Sequence, residues 1–318
     1  MEFSFDPLSK KPPSKKDRPW GVNFGGGTNS VALVVELVNR GFKPDFVLFA
    51  DTGSEKPETY AAIIRTAEWL EAQGIQFSVT RWWRQRGDGS ERTAVGVRRA
   101  NEAVARLARW ERWIPEGGWF ETIEDYCLRT GYMPSAAYGY GGCSTKFKRQ
   151  PAERWRAQHG LSDTVYCLGF DSGEEKRVNK KKCDRAAEGE QLGEDPWYPL
   201  YAWGISRDRC EEIVEESGLG PVPKSACWMC PFTKTPEWYA LKKESPVLFR
   251  RALKIEANAV AHGNAKSGLR RSQGFLRDLP RALPVAETPA VAEVPERDPT
   301  CECFESSSPA PKKRRRKT

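Results

Sequence analysis

No stretch of the 318-residue chain approaches the roughly 18 consecutive apolar residues that a membrane-crossing helix needs. The opening MEFSFDPLSKKPPSKKDR carries charge but no apolar h-region, so an unexported, cytoplasmic protein with no membrane partner is expected. Histidine is scarce, with only His159 and His262, and a metal centre would have to draw on other ligands. No internal repeat divides the chain. Concentrated charge of one sign is also scarce. The net charge is +8, but residues 1–20 and 281–318 contribute +2 each, which leaves +4 on the 260 residues between them. That is a weak global field. Only Lys312 to Lys317 form a continuous cationic run, which reads as a solvated tail with non-specific affinity for polyanions, nucleic acid included.

The apolar share of 39%, with 27 glycines added, permits a sizeable core, and the length fits two domains or one large decorated domain. Nine cysteines in a chain without an export signal favour metal or redox chemistry over disulfides. Residues 1–19, rich in Lys and Pro, read as a disordered basic lead-in. Gly21 to Phe24 is a short apolar segment. Val31 to Phe42 follows as a buried helix, Asp45 to Ala50 as a strand, and Glu58 to Gln73 as a helix entered at Pro57 with Ala61, Ile64, Ala67 and Leu70 on its apolar face. Ile75 to Thr80 is a third strand. This alternation predicts an α/β fold with a doubly wound, mostly parallel sheet over residues 20–200. Residues 84–118 read as an insertion over the sheet edge, a lid or, through its Trp and Arg content, a nucleic-acid surface. Helices near Thr122 to Arg129 and Lys146 to Gln158 and a strand Thr164 to Gly169 follow. A helical Cys-bearing region spans 201–265, and 280–318 reads as a disordered Pro/Ala/Glu-rich tail with a basic end.

Phe24-Gly25-Gly26-Gly27-Thr28-Asn29-Ser30 joins a strand end to a helix start, where backbone N–H groups and the helix dipole hold anions. The loop has neither the lysine of a Walker A motif nor G-x-G-x-x-G spacing. A tight turn without ligand is the alternative. Asp51-Thr52-Gly53-Ser54-Glu55-Lys56-Pro57-Glu58-Thr59 stands at the end of the next strand, on the rim where doubly wound sheets bind ligands. Together the two segments resemble the PP-loop adenine nucleotide alpha-hydrolase superfamily, and specifically the phosphoadenosine phosphosulfate (PAPS) reductase family, whose pattern is S-G-G-x-D-S followed by D-T-G-x-x-x-P-E-T. Gly26, Gly27 and Ser30 match the first motif; Asp51, Thr52, Gly53, Pro57, Glu58 and Thr59 match the second. Gly25 replaces the usual Ser and Asn29 the usual Asp, which weakens magnesium recruitment and leaves anion binding intact.

The resemblance runs to about residue 245. LGFDSGEEKRV is similar to a family element in which Glu174 and Arg177 are the counterparts, with a surface ion pair as the plain alternative. Cys143-Ser144-Thr145-Lys146-Phe147-Lys148, with Pro151, resembles a Cys-bearing basic helix start at which Lys146 and Lys148 would hold a second phosphate or sulfate. Cys227-Trp228-Met229-Cys230-Pro231 is a C-x-x-C-P element. Two thiolates at this spacing can share a metal, and a tetrahedral site needs two more ligands. The resemblance points to Cys143, with Cys210 next, giving an all-thiolate site suited to a 4Fe-4S cluster or to zinc. A plain dithiol, and a core-facing Cys210, are the alternatives. Cys127, Cys167 and Cys183 read as core or incidental. Cys303 is the candidate for the tail nucleophile of sulfonucleotide reductases, although Phe304-Glu305 follows it where the family has Gly-Leu-His.

The resemblance therefore implies an enzyme of sulfur metabolism acting on an adenine nucleotide (PAPS, APS or ATP), with a reductant or sulfur-donor protein as partner. An ATP pyrophosphatase for nucleic-acid thiolation, with magnesium, and a catalytically lapsed nucleotide-binding module are the alternatives.

Overall fold

Five strands hydrogen-bond side by side in the order β3-β2-β1-β6-β7. They are β1 (Trp20–Phe24), β2 (Phe46–Asp51), β3 (Phe77–Arg81), β6 (Thr164–Cys167) and β7 (Glu194–Trp197). Every pairing in this sheet is parallel. Trp83–Arg84 (β4) and Trp119–Phe120 (β5) form a separate antiparallel pair. The computed structural model describes residues 5–14, 18–84, 107–110, 119–134, 142–179, 194–265, 267–270 and 274–280. Among them no helix is long and apolar enough to cross a membrane.

Strand alternation sends the side chains to two cores. Trp20, Val22 and Phe24 of β1, with Val47 and Phe49 of β2, pack against α1 (Thr28–Asn39) and α2 (Pro57–Ala72). Phe46 and Leu48, on the opposite face, meet Ala152 and Trp155 of α4 (Gln150–Gln158). Helices thus cover both faces, as a doubly wound sheet requires. Leu107 and Trp110 join the first core, with Trp110 edge-on to Phe77 of edge strand β3. Pro196 is tolerated in β7 because that strand is the other edge of the sheet. A third cluster gathers α3 (Ile123–Thr130), the Cys227–Cys230 loop, α7 (Thr235–Glu244) and α8 (Pro246–Ala261).

Three features go beyond what the sequence shows. Residues 5–14 are not a free lead-in: the ring of Phe5 lies edge-on to Trp197, and the indole N–H groups of Trp197 and Trp203 donate to the carbonyls of Ser9 (2.7 Å) and Lys10 (3.0 Å). Beyond the short helix Pro199–Ala202 (α5), the helix Arg207–Glu216 (α6) packs on α1 in the sheet's own core. The helix expected from Lys146 begins as a π-helical turn, Thr145–Arg149, before α4. Cys183, Cys301, Cys303, the basic tail and most of the 84–118 insertion lie outside the described residues.

Candidate functional site

The strand order puts the topological switch point between β1, whose chain continues to β2 and β3, and β6, which leads to β7. Doubly wound sheets open a crevice at the carboxyl ends of such strands. The cavity found there, about 110 Å³, is lined by Gly25, Gly27 and Asn29 from the loop after β1, by Leu168 and Phe170 after β6, and by the cations Lys148, Arg177, Arg207 and Lys224. Thr28, Ser30 and Glu174 also line it. Gly26 holds the loop's shape rather than facing the cavity. Its φ is +75°, and a Cβ there would stand 2.9 Å from Cγ1 of Ile63. Ser30 Oγ accepts the Gly25 N–H at 3.1 Å, and Ser225 Oγ donates to the Gly25 carbonyl at 2.6 Å, tying the loop to the Cys segment.

Asn29, where the family pattern has Asp, is buried and fully engaged. Its amide nitrogen donates to Asp171 (2.8 Å) and Glu174 (3.3 Å), and its oxygen accepts from Arg207 (3.1 Å). Arg207 also donates to Thr28 Oγ1 at 3.1 Å and pairs with Glu211 at 2.9 Å. Arg177 pairs with Glu174 and lies 4.1 Å over the Phe170 ring. Burial, then the neighbouring Glu174, pushes the Asp171 carboxyl above its usual range, against the Asn29 hydrogen bond. Asp171, Arg207, Lys224 and Ser225 were not singled out from sequence. Asp171 was in view within LGFDSG, but the others are brought in by the fold from distant segments.

Asp51, Thr52 and Gly53 do not line the cavity. The Asp51 carboxylate is fully buried, accepting from Tyr60 Oη (2.7 Å), Arg81 Nε (3.0 Å) and the Gly53 N–H (2.8 Å). It builds the β2–α2 turn. Glu58 is exposed in the first turn of α2, and Thr59 is buried beneath Gly26, 3.7 Å from the position of a Cβ there. Lys146 points elsewhere too, with its ammonium 4.0 Å over Tyr126 and 5.0 Å over Trp82. Burial, with Arg129 and Arg84 nearby, lowers its pKa against the pull of Glu121.

The Asp-Thr-Gly segment instead anchors the cysteines. Glu55 and Cys227 form an antiparallel bridge, and the Trp228 N–H donates to the Ser54 carbonyl at 3.0 Å. The Cys227 sulfur lies 3.4 Å from Thr52 Oγ1 and 3.7 Å from Glu55 Oε1. Cys143, Cys227 and Cys230 line a second, apolar cavity of about 20 Å³, with Lys148 in its wall. Lys148 is 6% exposed, and its ammonium is 3.6 Å from Glu55. Burial pulls its pKa down, but Glu55 and the sulfurs of Cys227, Cys143 and Cys230 outweigh that and raise it. Burial raises all three thiols, Cys230 to about 12, with Lys148 opposing.

Cys210 is not with them. It lies in the core between α6 and α1, while buried Cys127 shares the side-chain cluster of the other three. A helix buries one face, and Cys210 is on the face of α6 that meets the sheet layer. Among the described residues no three potential ligands converge as a ready metal site.

The fold and cavity define a doubly wound α/β protein with a glycine-rich loop at its switch point. No family model and no curated protein matches the chain. Solved structures that resemble it include phosphoadenylyl-sulfate (PAPS) reductase from Candida auris in a phosphate complex, at 12% identity and TM-score 0.38, covering 66% of this chain and 78% of that one. The U34-tRNA thiolase NcsA from Methanococcus maripaludis with its [4Fe-4S] cluster also resembles it, at 12% identity and TM-score 0.38, covering 78% of this chain and 74% of that one.

Proposed function

We propose that the chain is a PP-loop enzyme of the PAPS-reductase type, which binds an adenine nucleotide at the switch-point cavity and carries out sulfonucleotide reduction or sulfur transfer beside it. One observation carries the reading: Lys148 lines both the glycine-loop cavity and the three-cysteine cavity. A buried cation between an anion-binding loop and a set of thiols is placed to hold negative charge on either side.

The chain's own parts take these roles. The N–H groups of the glycine loop at the start of α1 receive phosphate oxygens, and Arg177, Arg207 and Lys224 neutralise them. Lys148 lines both cavities and opposes the burial that raises the thiols of Cys143, Cys227 and Cys230. Those three thiols share one cavity wall without converging on a single point; were they to close on a 4Fe-4S cluster, or on zinc in its place, the centre would supply sulfur-binding or Lewis-acid chemistry. Cys127, which shares their side-chain cluster, would be the fourth ligand in place of Cys210. Magnesium fits poorly, because the Asn29 amide spans Asp171 and Glu174, and Glu174 is already paired with Arg177.

A second reading, ATP pyrophosphatase chemistry in nucleic-acid thiolation, is favoured by the sequence after Glu302-Cys303, which departs from the reductase tail. Anaerobic purification, iron analysis and two product assays separate the readings. Iron-bearing protein that releases sulfite from PAPS is expected, with sulfite lost in Cys303→Ser if the tail supplies the nucleophile. Pyrophosphate from ATP without sulfite selects the thiolation reading. Iron-free protein with neither product ends both.

A further inference from the structure

β1 is the central strand of a parallel sheet, where both faces are normally apolar. Asn23 breaks that rule. It is 6% exposed, it lines the glycine-loop cavity, and its side-chain oxygen is buried without a hydrogen-bond partner. Its neighbours across the sheet are apolar: Leu48 is its register partner on β2, and Leu168 follows the end of β6. A desolvated amide oxygen among such neighbours is costly when nothing donates to it.

The place of the orphan limits what can satisfy it. Asn23 lies two residues before Gly25, about 7 Å back along the strand from the anion-binding loop. That is the reach from a phosphate to the sugar or base of the same nucleotide. The partner cannot be a phosphate oxygen, because two acceptors repel. It must be an N–H or O–H donor.

We propose that Asn23 reads the nucleoside end of the bound nucleotide, its Oδ1 accepting a hydrogen bond from either the exocyclic amine of the base or a ribose hydroxyl. This rests on the nucleotide reading above and adds a specificity residue to it. The glycine loop and its cations hold phosphate without regard to the nucleoside, and Asn23 supplies the discrimination.

Calorimetry on the full chain tests this, with wild type and Asn23→Leu each titrated with inorganic pyrophosphate, ATP, inosine triphosphate, and 2′- and 3′-deoxy-ATP. Asn23→Leu is expected to bind ATP roughly tenfold or more weakly and pyrophosphate as wild type does. Its unliganded melting temperature should equal or exceed that of wild type, because the orphan is gone; a purely structural asparagine would lower it. If the amine is the donor, wild type binds inosine triphosphate as weakly as the variant binds ATP. If a hydroxyl is the donor, the loss appears with a deoxy nucleotide instead. Unchanged ATP affinity in Asn23→Leu, a marked fall in its unliganded melting temperature, or wild type binding ATP no better than pyrophosphate overturns the assignment and leaves the nucleotide reading standing. Wild type that binds neither ATP nor pyrophosphate overturns both.

Discussion

Asp51 illustrates how a motif residue can serve the scaffold at a ligand-binding rim. Its carboxylate is spent on Arg81, Tyr60 and the Gly53 N–H, and Arg81 is as deeply buried as its partner. Removing one member of such a pair leaves an uncompensated charge. Asp51→Asn is therefore expected to cost about 3 kcal/mol of unfolding free energy in urea. The nucleotide affinity of the folded fraction should stay within about twofold, since Asp51 does not line the cavity. A Kd raised tenfold or more with little loss of stability would return Asp51 to the ligand. The sequence motif singles out Asp51. It could not reveal its role, because that depends on Arg81, thirty positions away on another strand.

At the scale of elements, the loop between β1 and α1 is a short turn whose shape is set by one glycine. Gly26 is left-handed, and Ile63 of α2 fills the space where a Cβ would stand. Gly26→Ala is expected to destabilise by about 1–3 kcal/mol through backbone strain and the clash. Ile63→Ala removes the Cγ1 that stands in the way, so Gly26→Ala should cost less in the Ile63→Ala background than in wild type by the steric part alone, with the torsional part remaining, a difference that thermal melts of the single and double variants resolve. The same contact explains why α2 was only partly legible. Ala61, Ala62, Ile63 and Ile64 offer apolar residues on adjoining faces, so helical periodicity fits more than one phase. The structure exposes Ala61, leaves Ile64 half-buried and buries Tyr60, Ile63, Ala67 and Leu70. The strands were easier, because short apolar runs between turn signals need only an existence and an order along the chain. The π-helical turn at Thr145–Arg149 has no composition signal. The docking of residues 5–14 was hidden because their Lys- and Pro-rich composition says nothing of the two indoles, Trp197 and Trp203, that need acceptors.

For the whole molecule, what the sequence left out was spatial order. Two motifs on one rim, at neighbouring strand ends, point to one site. The cavity instead opens between β1 and β6, because the chain crosses to the other side of β1 after β3. The second motif then faces the cysteine loop, and Lys148 becomes the element common to both sites. Glu55, from the second motif, lies 3.6 Å from Lys148, which comes from the π-helical turn, and bridges to Cys227 of the C-terminal cluster. The pair therefore helps join three separate stretches of chain. Lys148→Met would strand the Glu55 carboxylate in a buried setting, with an expected loss of about 3–5 kcal/mol. Combining it with Glu55→Gln removes the stranded charge and should recover much of the stability, whereas nucleotide affinity and thiol-bound iron should stay low in both variants, since under the proposed function each depends on the cation. Urea midpoints, calorimetry and iron analysis on wild type, both single variants and the double variant measure the two effects separately. If the double variant regains affinity and iron along with stability, Lys148 is a structural counter-ion to Glu55, and the two cavities are neighbours without a working connection.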